Sequence, residues 1–337
     1  MKIGPVDLTK SILVVAEIGN NHEGNFACAE KLIREARKAG AGAVKFQTIV
    51  PDRLVSPQEK DRIRQLERFR FSYEQFERLS KIAKEENILF LSTPFDIESV
   101  RFLKPLVPAF KIASGDNNFF PLIDAIAQTG KPILLSSGLS GLAEILKTKN
   151  FIDRIWKKRG INVRQNLAIL HCVVSYPTPI NQANLLAIRA LSRLGVTVGY
   201  SDHTFGIEAA VLSVALGARI IEKHFTLDKN FSDFHDHKIS ADPHEFKELV
   251  RRVQEADELL GTGIKAVQEC EKKNVGKVRR SIAAGCGLNK DAVLRWKDLT
   301  WVRPGTGLAP GNEKKIIGRK LKRPVLAGEA ILPSDLK

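Results

Sequence analysis

The 337-residue sequence contains little cysteine and no paired cysteine motif of the kind that binds metal. Its four cysteines are Cys28, Cys172, Cys270 and Cys286. No secretory segment precedes the first apolar run, and no apolar stretch approaches the roughly 20 residues that a membrane span needs. We therefore expect reduced thiols in a soluble, cytoplasmic protein without a membrane partner. A chain of this length is expected to form one large and one small domain.

Acidic residues are outnumbered: 53 Lys and Arg stand against 38 Asp and Glu, which gives a net charge of +15. Most of the excess lies between Thr262 and Lys337, where 17 basic residues accompany 7 acidic ones. Such a basic block can serve a nucleic acid, an acidic small substrate or simply a solvated face. Zinc-finger spacing, RNA-binding aromatic motifs and heptads are all absent, so no nucleic-acid partner is expected.

Apolar runs that end in polar residues alternate with segments of helical period. The predicted strands are Ile12–Gly19, Ala43–Thr48, Ile88–Pro94, Ala109–Gly115, Pro132–Gly138, Leu167–Val174, Val196–His203 and Ile220–Thr226. The predicted helices are Ala27–Ala39, Tyr73–Glu86, Ile97–Lys104, Leu122–Gln128, Leu142–Lys157, Gln182–Arg193, Ile207–Leu216 and Pro243–Leu260. Eight such repeats predict an α/β fold, a (β/α)8 barrel of the TIM type. A doubly wound open sheet is the alternative, but no Gly-x-Gly-x-x-Gly turn follows the first strand.

His203 and His224 stand at the ends of the last two predicted strands. The carboxyl ends of neighbouring parallel strands meet on one face of a barrel, so the two imidazoles can converge on one divalent ion. A catalytic site is favoured, because two imidazoles leave positions open for water and substrate, whereas a structural zinc ion has four protein ligands. The alternative is that both are hydrogen-bonded core histidines, which is common for a single buried histidine.

Lys45 and Lys111 each lie in the middle of an apolar run, where strand alternation points them into the barrel mouth. A buried lysine without an anionic partner is costly. Two lysines near Ser and Thr hydroxyls would suit a ligand that carries phosphate and carboxylate groups. Polar residues at other strand ends, such as Thr93, Ser137 and Asp202, could instead simply cap the helices that follow.

Nine stretches resemble, in serial order, the motifs of the sialic acid synthase (N-acetylneuraminate synthase) family. They are VAEIGNNHEGN, VKFQT, FLSTPFD, FKIASGD, ILLSSGLS, LHCVVSYPTP, GYSDHT, EKHFT and DHKISADP. The tail from RRSIAAGCG onward resembles the small antifreeze-like (SAF, β-clip type) domain of that family. The resemblance implies a catalytic barrel over residues 1–262, a linker over 263–280 and the antifreeze-like domain over 281–337.

The resemblance also implies an activity, a phosphoenolpyruvate-dependent transferase that forms a carbon–carbon bond. Phosphoenolpyruvate would condense with N-acetylmannosamine or a related acetamido sugar to give a nine-carbon 2-keto sugar acid and phosphate. His203 and His224 would hold a divalent ion, commonly Mn²⁺ and alternatively Mg²⁺ or Co²⁺. Glu17 and Asp116 would join the two histidines in catalysis.

Substrate contacts carry over from the same resemblance. The residues that match the phosphoenolpyruvate positions are Lys45, Thr93, Lys111, Ser114 and Ser201. Those that match the acceptor-sugar positions are Gln47, Tyr176 and Asp236. In a domain-swapped homodimer, Arg303 of the tail would reach over the sugar site of the partner subunit.

Two positions depart from the family pattern. Asp116 stands where the family usually has glutamate, and Val174 stands where it often has an asparagine that contacts phosphate. The acceptor sugar therefore stays open, and a trideoxy acetamido hexose, the precursor of legionaminic or pseudaminic acid, is an alternative. Two further alternatives are an octulosonate-type synthase, which would need extra Arg or Lys at the far end of the sugar site, and a non-catalytic barrel that binds a polyanion or ice.

Overall fold

The chain begins with a two-stranded antiparallel hairpin, β1 (Lys2–Ile3) and β2 (Val6–Asp7), and then alternates strands with helices. The computed structural model describes residues 1–337 as two units, Met1–Gly261 and Thr262–Lys337. Ile3 is fully buried against residues that point into the barrel, so the hairpin closes the amino-terminal end of the barrel interior.

Eight parallel strands form the sheet of the first unit. They are β3 (Leu13–Gly19), β4 (Ala43–Thr48), β5 (Leu89–Pro94), β6 (Phe110–Ile112), β7 (Ile133–Ser136), β8 (Leu167–His171), β9 (Thr197–Asp202) and β10 (Ile220–His224). Their hydrogen-bonded order is β5-β4-β3-β10-β9-β8-β7-β6, and the two ends of this ladder, β5 and β6, lie next to each other. The sheet is thus a nearly closed barrel, and the predicted fold is confirmed.

Helices surround the barrel. Those of the first unit are α1 (Phe26–Lys38), α2 (Pro51–Leu54), α3 (Lys60–Phe69), α4 (Tyr73–Glu85), α5 (Ile97–Leu103), α6 (Phe120–Gln128), α7 (Leu142–Lys157), α8 (Val163–Asn166), α9 (Ala187–Ser192), α10 (Glu208–Ala215), α11 (Asp236–Ile239) and α12 (Pro243–Leu260). Local sequence explains where several begin: Ser72 and Gln75 form a capping box before α4, and Asp242 caps α12 with Pro243 in its first turn. No helix combines the length and apolar character of a membrane span.

All eight predicted helices are present, and the main differences are at their ends and in short elements. The sixth predicted helix is shortened to α9 because Ile180–Gln182 forms a separate 3-10 turn. The predicted fourth strand ends early at Ile112, since Ser114–Asp116 turns as a 3-10 helix. The sequence did not predict α3, whose residues are mostly charged.

Two apolar clusters hold the first unit together. The larger lies between the barrel and its helices and includes Phe46, Trp156 and Phe246, each fully buried. The smaller fills the amino-terminal half of the barrel interior with residues such as Leu13 and Leu134. Every second residue of a strand therefore points into the barrel along its whole length. The inward residues are apolar at the amino-terminal end and polar at the carboxyl end.

The second unit has its own small core. Its helices are α13 (Lys272–Val278) and α14 (Glu313–Ile316), and its strands are β11 (Ser281–Ala284) and β12 (Leu299–Val302). The two strands pair antiparallel, with Ser281 opposite Val302. Ile282, Leu294 and Ile331 are buried between them and the later loops. Because α13 lies within residues 263–280, part of the segment predicted as a linker is helical.

Candidate active site

A cavity of about 310 Å³ opens at the carboxyl ends of the barrel strands. Eleven of the thirteen predicted site residues line it: Glu17, Lys45, Gln47, Thr93, Lys111, Ser114, Tyr176, Ser201, His203, His224 and Asp236. Asp116 does not line the cavity, although its neighbours Ser114 and Gly115 do. Arg303 belongs to the other unit, where it is exposed directly after β12, and its role stays a prediction.

Four buried charged side chains form the floor of the cavity. Lys45 Nζ lies 2.7 Å from Glu17 Oε2 and 3.6 Å from Glu222 Oε1, and Lys111 Nζ lies 3.4 Å from the same Glu222 oxygen. All four are at most 4% exposed. Each lysine thus has a carboxylate partner within the chain. The burial of the lysines therefore does not by itself require an anionic ligand, as the sequence had suggested.

This pairing determines the direction of each pKa shift. Burial raises the pKa of Glu17. Burial also acts to raise the pKa of Glu222, but Lys111 and Lys45 outweigh it and lower that pKa to about 2. Burial acts to lower the pKa of Lys45, but Glu17 and Glu222 raise it above its ordinary value. For Lys111 burial dominates and lowers the pKa. The pKa shifts of Glu222 and Lys45 therefore favour their charged forms, whereas those of Glu17 and Lys111 favour the neutral forms.

Hydroxyl groups surround this floor. Thr93 Oγ1 lies 3.4 Å from Lys45 Nζ, and Ser201 donates a 2.9 Å hydrogen bond to Glu222 Oε1. Ser114 Oγ lies 2.9 Å from the Cys172 thiol sulfur. Ammonium and hydroxyl donors thus stand together, as the prediction of a phosphate- and carboxylate-binding site requires.

The two histidines lie side by side, with ring centroids 5.5 Å apart. His203 Nδ1 is 2.7 Å from the carbonyl oxygen of Val173, an arrangement in which Nδ1–H donates and Nε2 keeps a free lone pair. Burial lowers the pKa of both rings, that of His224 to about 4, so both are neutral at neutral pH. His224 Nδ1 is buried without a hydrogen-bond partner, and the nearest carboxylate oxygen, on Asp236, is 3.9 Å away.

These features fit a divalent ion held by two imidazoles. Neutral rings with a free nitrogen are the form of histidine that binds metal, and an unpartnered buried nitrogen does not fit a hydrogen-bonded core histidine. No group of three or more His, Cys, Asp or Glu side chains is arranged around one point. Two protein ligands would leave the other positions to water and substrate.

The predicted acceptor residues lie around the histidines. The Tyr176 ring packs 4.3 Å from the His203 ring, centroid to centroid. Gln47 Nε2 donates to Glu17 Oε1 at 3.0 Å, so this amide is held against the charged floor. Asp236 begins α11, and its pKa is lowered because His224 and His235 outweigh the opposing effect of burial.

Asp116 and Val174, the two departures from the family pattern, occupy different environments. Asp116 is half-buried in the 3-10 turn that follows β6, and burial raises its pKa to about 6. A carboxyl group whose pKa is raised toward neutral pH is suited to proton transfer. Val174 lines the cavity as an apolar side chain and cannot donate a hydrogen bond to phosphate.

Sequence reasoning missed the apolar rim of the cavity. Leu66 and Phe69 of α3 line it with Phe234, and the Phe69 and Phe234 rings meet edge to face with centroids 5.1 Å apart. The spacing of Ile63, Leu66 and Phe69 by three residues was the signal that could have predicted α3. Sequence reasoning also gave no role to Glu222, which contacts both lysines.

Comparison with known proteins identifies the family. The NeuB family model matches residues 32–265, and the SAF domain model matches residues 279–337. The chain belongs to the NeuB family.

Individual relatives extend this similarity over most of the chain. The N,N'-diacetyllegionaminic acid synthase of Campylobacter jejuni is 38% identical, over 92% of this chain and 96% of its own. A pseudaminic acid synthase of the same species is 36% identical over the full length of both chains. Among solved structures, an N-acetylneuraminic acid synthetase from Leptospira borgpetersenii superposes with a TM-score of 0.73 at 34% identity, over 79% of this chain and 90% of that one. The resemblance noted in the sequence is thus confirmed at the level of the family and its SAF domain.

Proposed function

We propose that this NeuB family member condenses phosphoenolpyruvate with an acetamido sugar to give a nine-carbon 2-keto sugar acid and phosphate. The observation that carries the proposal is the single cavity that brings together the buried charged floor and the pair of neutral histidines. Relatives at 34–38% identity bear the names of sialic, legionaminic and pseudaminic acid synthases, which supports this reaction class.

In this reaction carbon 3 of phosphoenolpyruvate attacks the aldehyde carbon of the open-chain sugar. Positive charge develops at carbon 2, water adds there, and the bond from carbon 2 to the phosphate oxygen breaks. The ammonium groups of Lys45 and Lys111 bind the phosphate and carboxylate, while the Glu17 and Glu222 carboxylates stabilise the developing positive charge. The rigid, buried arrangement of these groups requires little reorganisation during the reaction.

The two histidines would hold a divalent ion, with Mn²⁺ as the expected metal. When bound, the ion supplies Lewis-acid polarisation of the aldehyde oxygen. His203 keeps its Nε2 lone pair free because its Nδ1–H is bound to Val173. Tyr176 packs on the His203 ring and limits its rotation. Asp116, with a pKa of about 6, lies outside the cavity lining and exchanges a proton with the adding water or the leaving group through an intervening water.

The apolar rim of the cavity favours one particular class of acetamido sugar as the acceptor. Leu66, Phe69 and Phe234 present hydrocarbon to the cavity, and Phe234 lies two residues before Asp236, a predicted sugar contact. Arg62 is the only lysine or arginine that lines the cavity besides the two floor lysines. In a trideoxy diacetamido hexose carbon 6 is a methyl group, whereas in a phosphorylated aldose the terminal carbon bears a phosphate. The methyl group suits such an apolar rim better.

Phosphate release tests the function and ranks the acceptors. The protein with Mn²⁺ and phosphoenolpyruvate is assayed with N-acetylmannosamine, its 6-phosphate and 2,4-diacetamido-2,4,6-trideoxymannose, and the 2-keto acid is identified by mass spectrometry. We expect release that depends on an acetamido sugar, with the highest kcat/KM for the trideoxy sugar and the lowest for the phosphorylated one. Absence of release with every acetamido sugar would overturn the proposal in favour of a non-catalytic barrel.

A further inference from the structure

Asp202 and Lys223, the residues directly before the two site histidines, form a buried ion pair. Lys223 Nζ lies 2.9 Å from Asp202 Oδ2, and the side chains are 1% and 0% exposed. The two residues are opposite each other in the ladder between β9 and β10. Ser201 and Glu222, one residue earlier in each strand, meet inside the barrel. Since successive strand residues point to opposite faces, the ion pair lies on the outer side, between the barrel and its helices.

Both members of the pair also hold the residue that follows His203. Asp202 Oδ1 accepts hydrogen bonds from Thr204 N at 2.9 Å and from Thr204 Oγ1 at 2.8 Å. Lys223 Nζ donates to the carbonyl oxygen of Thr204. The backbone on either side of His203 is therefore tied to β10, the strand that carries His224. No other charged side chain pairs with either member of the ion pair.

Stability alone does not explain two charges in this position. A buried ion pair loses its hydration, and an apolar pair of similar volume is commonly as stable or more so. The ion pair adds a geometric constraint, because an ammonium and a carboxylate hold their hydrogen-bond partners at defined distances. The neighbouring residues of both strands on this outer face, Tyr200 and Ile221, belong to the apolar core, and the Tyr200 hydroxyl donates a 3.2 Å hydrogen bond to Asp202 Oδ1. The charges on this face are therefore confined to the level of the histidines.

We infer that the Asp202–Lys223 pair is a positioning device that sets the separation of the His203 and His224 rings and thereby their affinity for a divalent ion. The inference rests on the proposed function, in which the two rings hold that ion. The pair itself faces away from the cavity and touches neither the ion nor the substrates, so it acts through the backbone of His203.

The test compares two double variants of the full-length, metal-free protein. Asp202→Leu/Lys223→Met replaces the ion pair by hydrocarbon. Arg219→Met/Asp257→Leu is the matched control: it removes a partly buried ion pair, 2.6 Å between Nη1 and Oδ1, that joins the residue directly before β10 to α12. Binding of Mn²⁺ is measured from the free-ion signal in electron paramagnetic resonance. Circular dichroism and the melting temperature report folding.

We expect a Kd for Mn²⁺ at least tenfold higher in Asp202→Leu/Lys223→Met and unchanged in the control. An unchanged Kd in the folded first variant, or an equal increase in the control, would overturn the positioning role. If the first variant does not fold, Lys223→Arg decides, because it keeps the charge but displaces Thr204, and a Kd equal to that of the native protein would then overturn the inference. Native protein that binds no Mn²⁺ would instead show that the proposed metal site itself is wrong, and the positioning role would fall with it.

Discussion

The two halves of the barrel interior are built from the same strands but filled with different side chains. Toward the amino-terminal ends the inward residues are apolar, as in Leu13 and Leu134. Toward the carboxyl ends the same strand parity carries Glu17, Lys45 and Lys111, which are equally buried. Apolar burial stabilises the fold by about 25 cal/mol per Å², whereas buried charge costs hydration that its partners only partly restore. We infer that the amino-terminal half of the interior, the apolar half, serves stability. The carboxyl-terminal half, the charged half, serves chemistry.

The largest effect is expected at the histidines of the charged half. His203→Ala or His224→Ala should abolish turnover, by about a thousandfold or more, because each would remove one of two metal ligands. Chelation should have the same effect, and added Mn²⁺ should restore activity. The measurement is phosphate release, with circular dichroism to establish that the variants are folded. Full activity in a chelated, metal-free sample would contradict the metal role.

Lys111→Ala should raise the KM for phosphoenolpyruvate by about tenfold to a hundredfold. The variant loses a charge-assisted donor and leaves Glu222 with Lys45 as its remaining cation. Steady-state kinetics with varied phosphoenolpyruvate at saturating sugar measure this change. A lower kcat with an unchanged KM would mean that Lys111 acts on the reacting carbon and does not hold the substrate.

Asp116→Ala should lower kcat by about tenfold to a hundredfold with a smaller change in the KM for phosphoenolpyruvate. The native pH profile should bend near pH 6, the value to which burial raises the pKa, and the bend should vanish in the variant. Kinetics across pH 5–8 measure both effects. A large rise in KM with an unchanged kcat would assign Asp116 to binding.

The same pKa predicts a pH-dependent change in stability. The folded protein holds the Asp116 proton to about pH 6, whereas an unfolded chain loses it near pH 4, so ionisation reduces stability as the pH rises through this window. Asp116→Asn cannot ionise. Its melting temperature relative to the native protein should therefore be higher at pH 7.5 than at pH 4, and equal differences at the two values would contradict the raised pKa.

A subunit-mixing experiment with Arg303→Ala tests whether the second unit contributes to the active site of a partner subunit in a homodimer. We propose, from the family resemblance, that Arg303 acts on the partner's site. Mixing His203→Ala with Arg303→Ala chains would then give mixed dimers with one intact site of two. If half the dimers are mixed, activity should recover to about a quarter of the native level. No recovery after subunit exchange would mean that Arg303 acts within its own chain, in a monomer or in a dimer.

The apolar half should respond in stability and not in activity. Leu134→Ala removes a fully buried side chain and should lower the free energy of unfolding by about 2–5 kcal/mol. Its kcat/KM should stay within about twofold of the native value while the variant is folded. Urea denaturation and phosphate release at low temperature measure the two quantities. A tenfold loss of kcat/KM in folded Leu134→Ala would show that the halves are not separable.

Local patterns predicted much of the site. Alternation with period two pointed Lys45 and Lys111 into the barrel mouth, and parallel strand ends predicted that His203 and His224 would meet. Sequence reasoning missed α3, because its charged residues obscured a weak apolar spacing. It also missed that Glu222 contacts both lysines, since no local pattern assigns a carboxylate to a partner on another strand.

Consecutive residues thus carry enough information to predict the eight strands, the side chains that point inward and the family, because alternation and motif order are local properties. Which charges meet depends instead on the folded arrangement of the chain. The pairing of Lys45 with Glu17, and of Lys223 with Asp202, depends on the register between neighbouring strands that are distant in the chain. Barrel closure sets that register, and it brings Leu66 of α3 to the rim of the same cavity as His224.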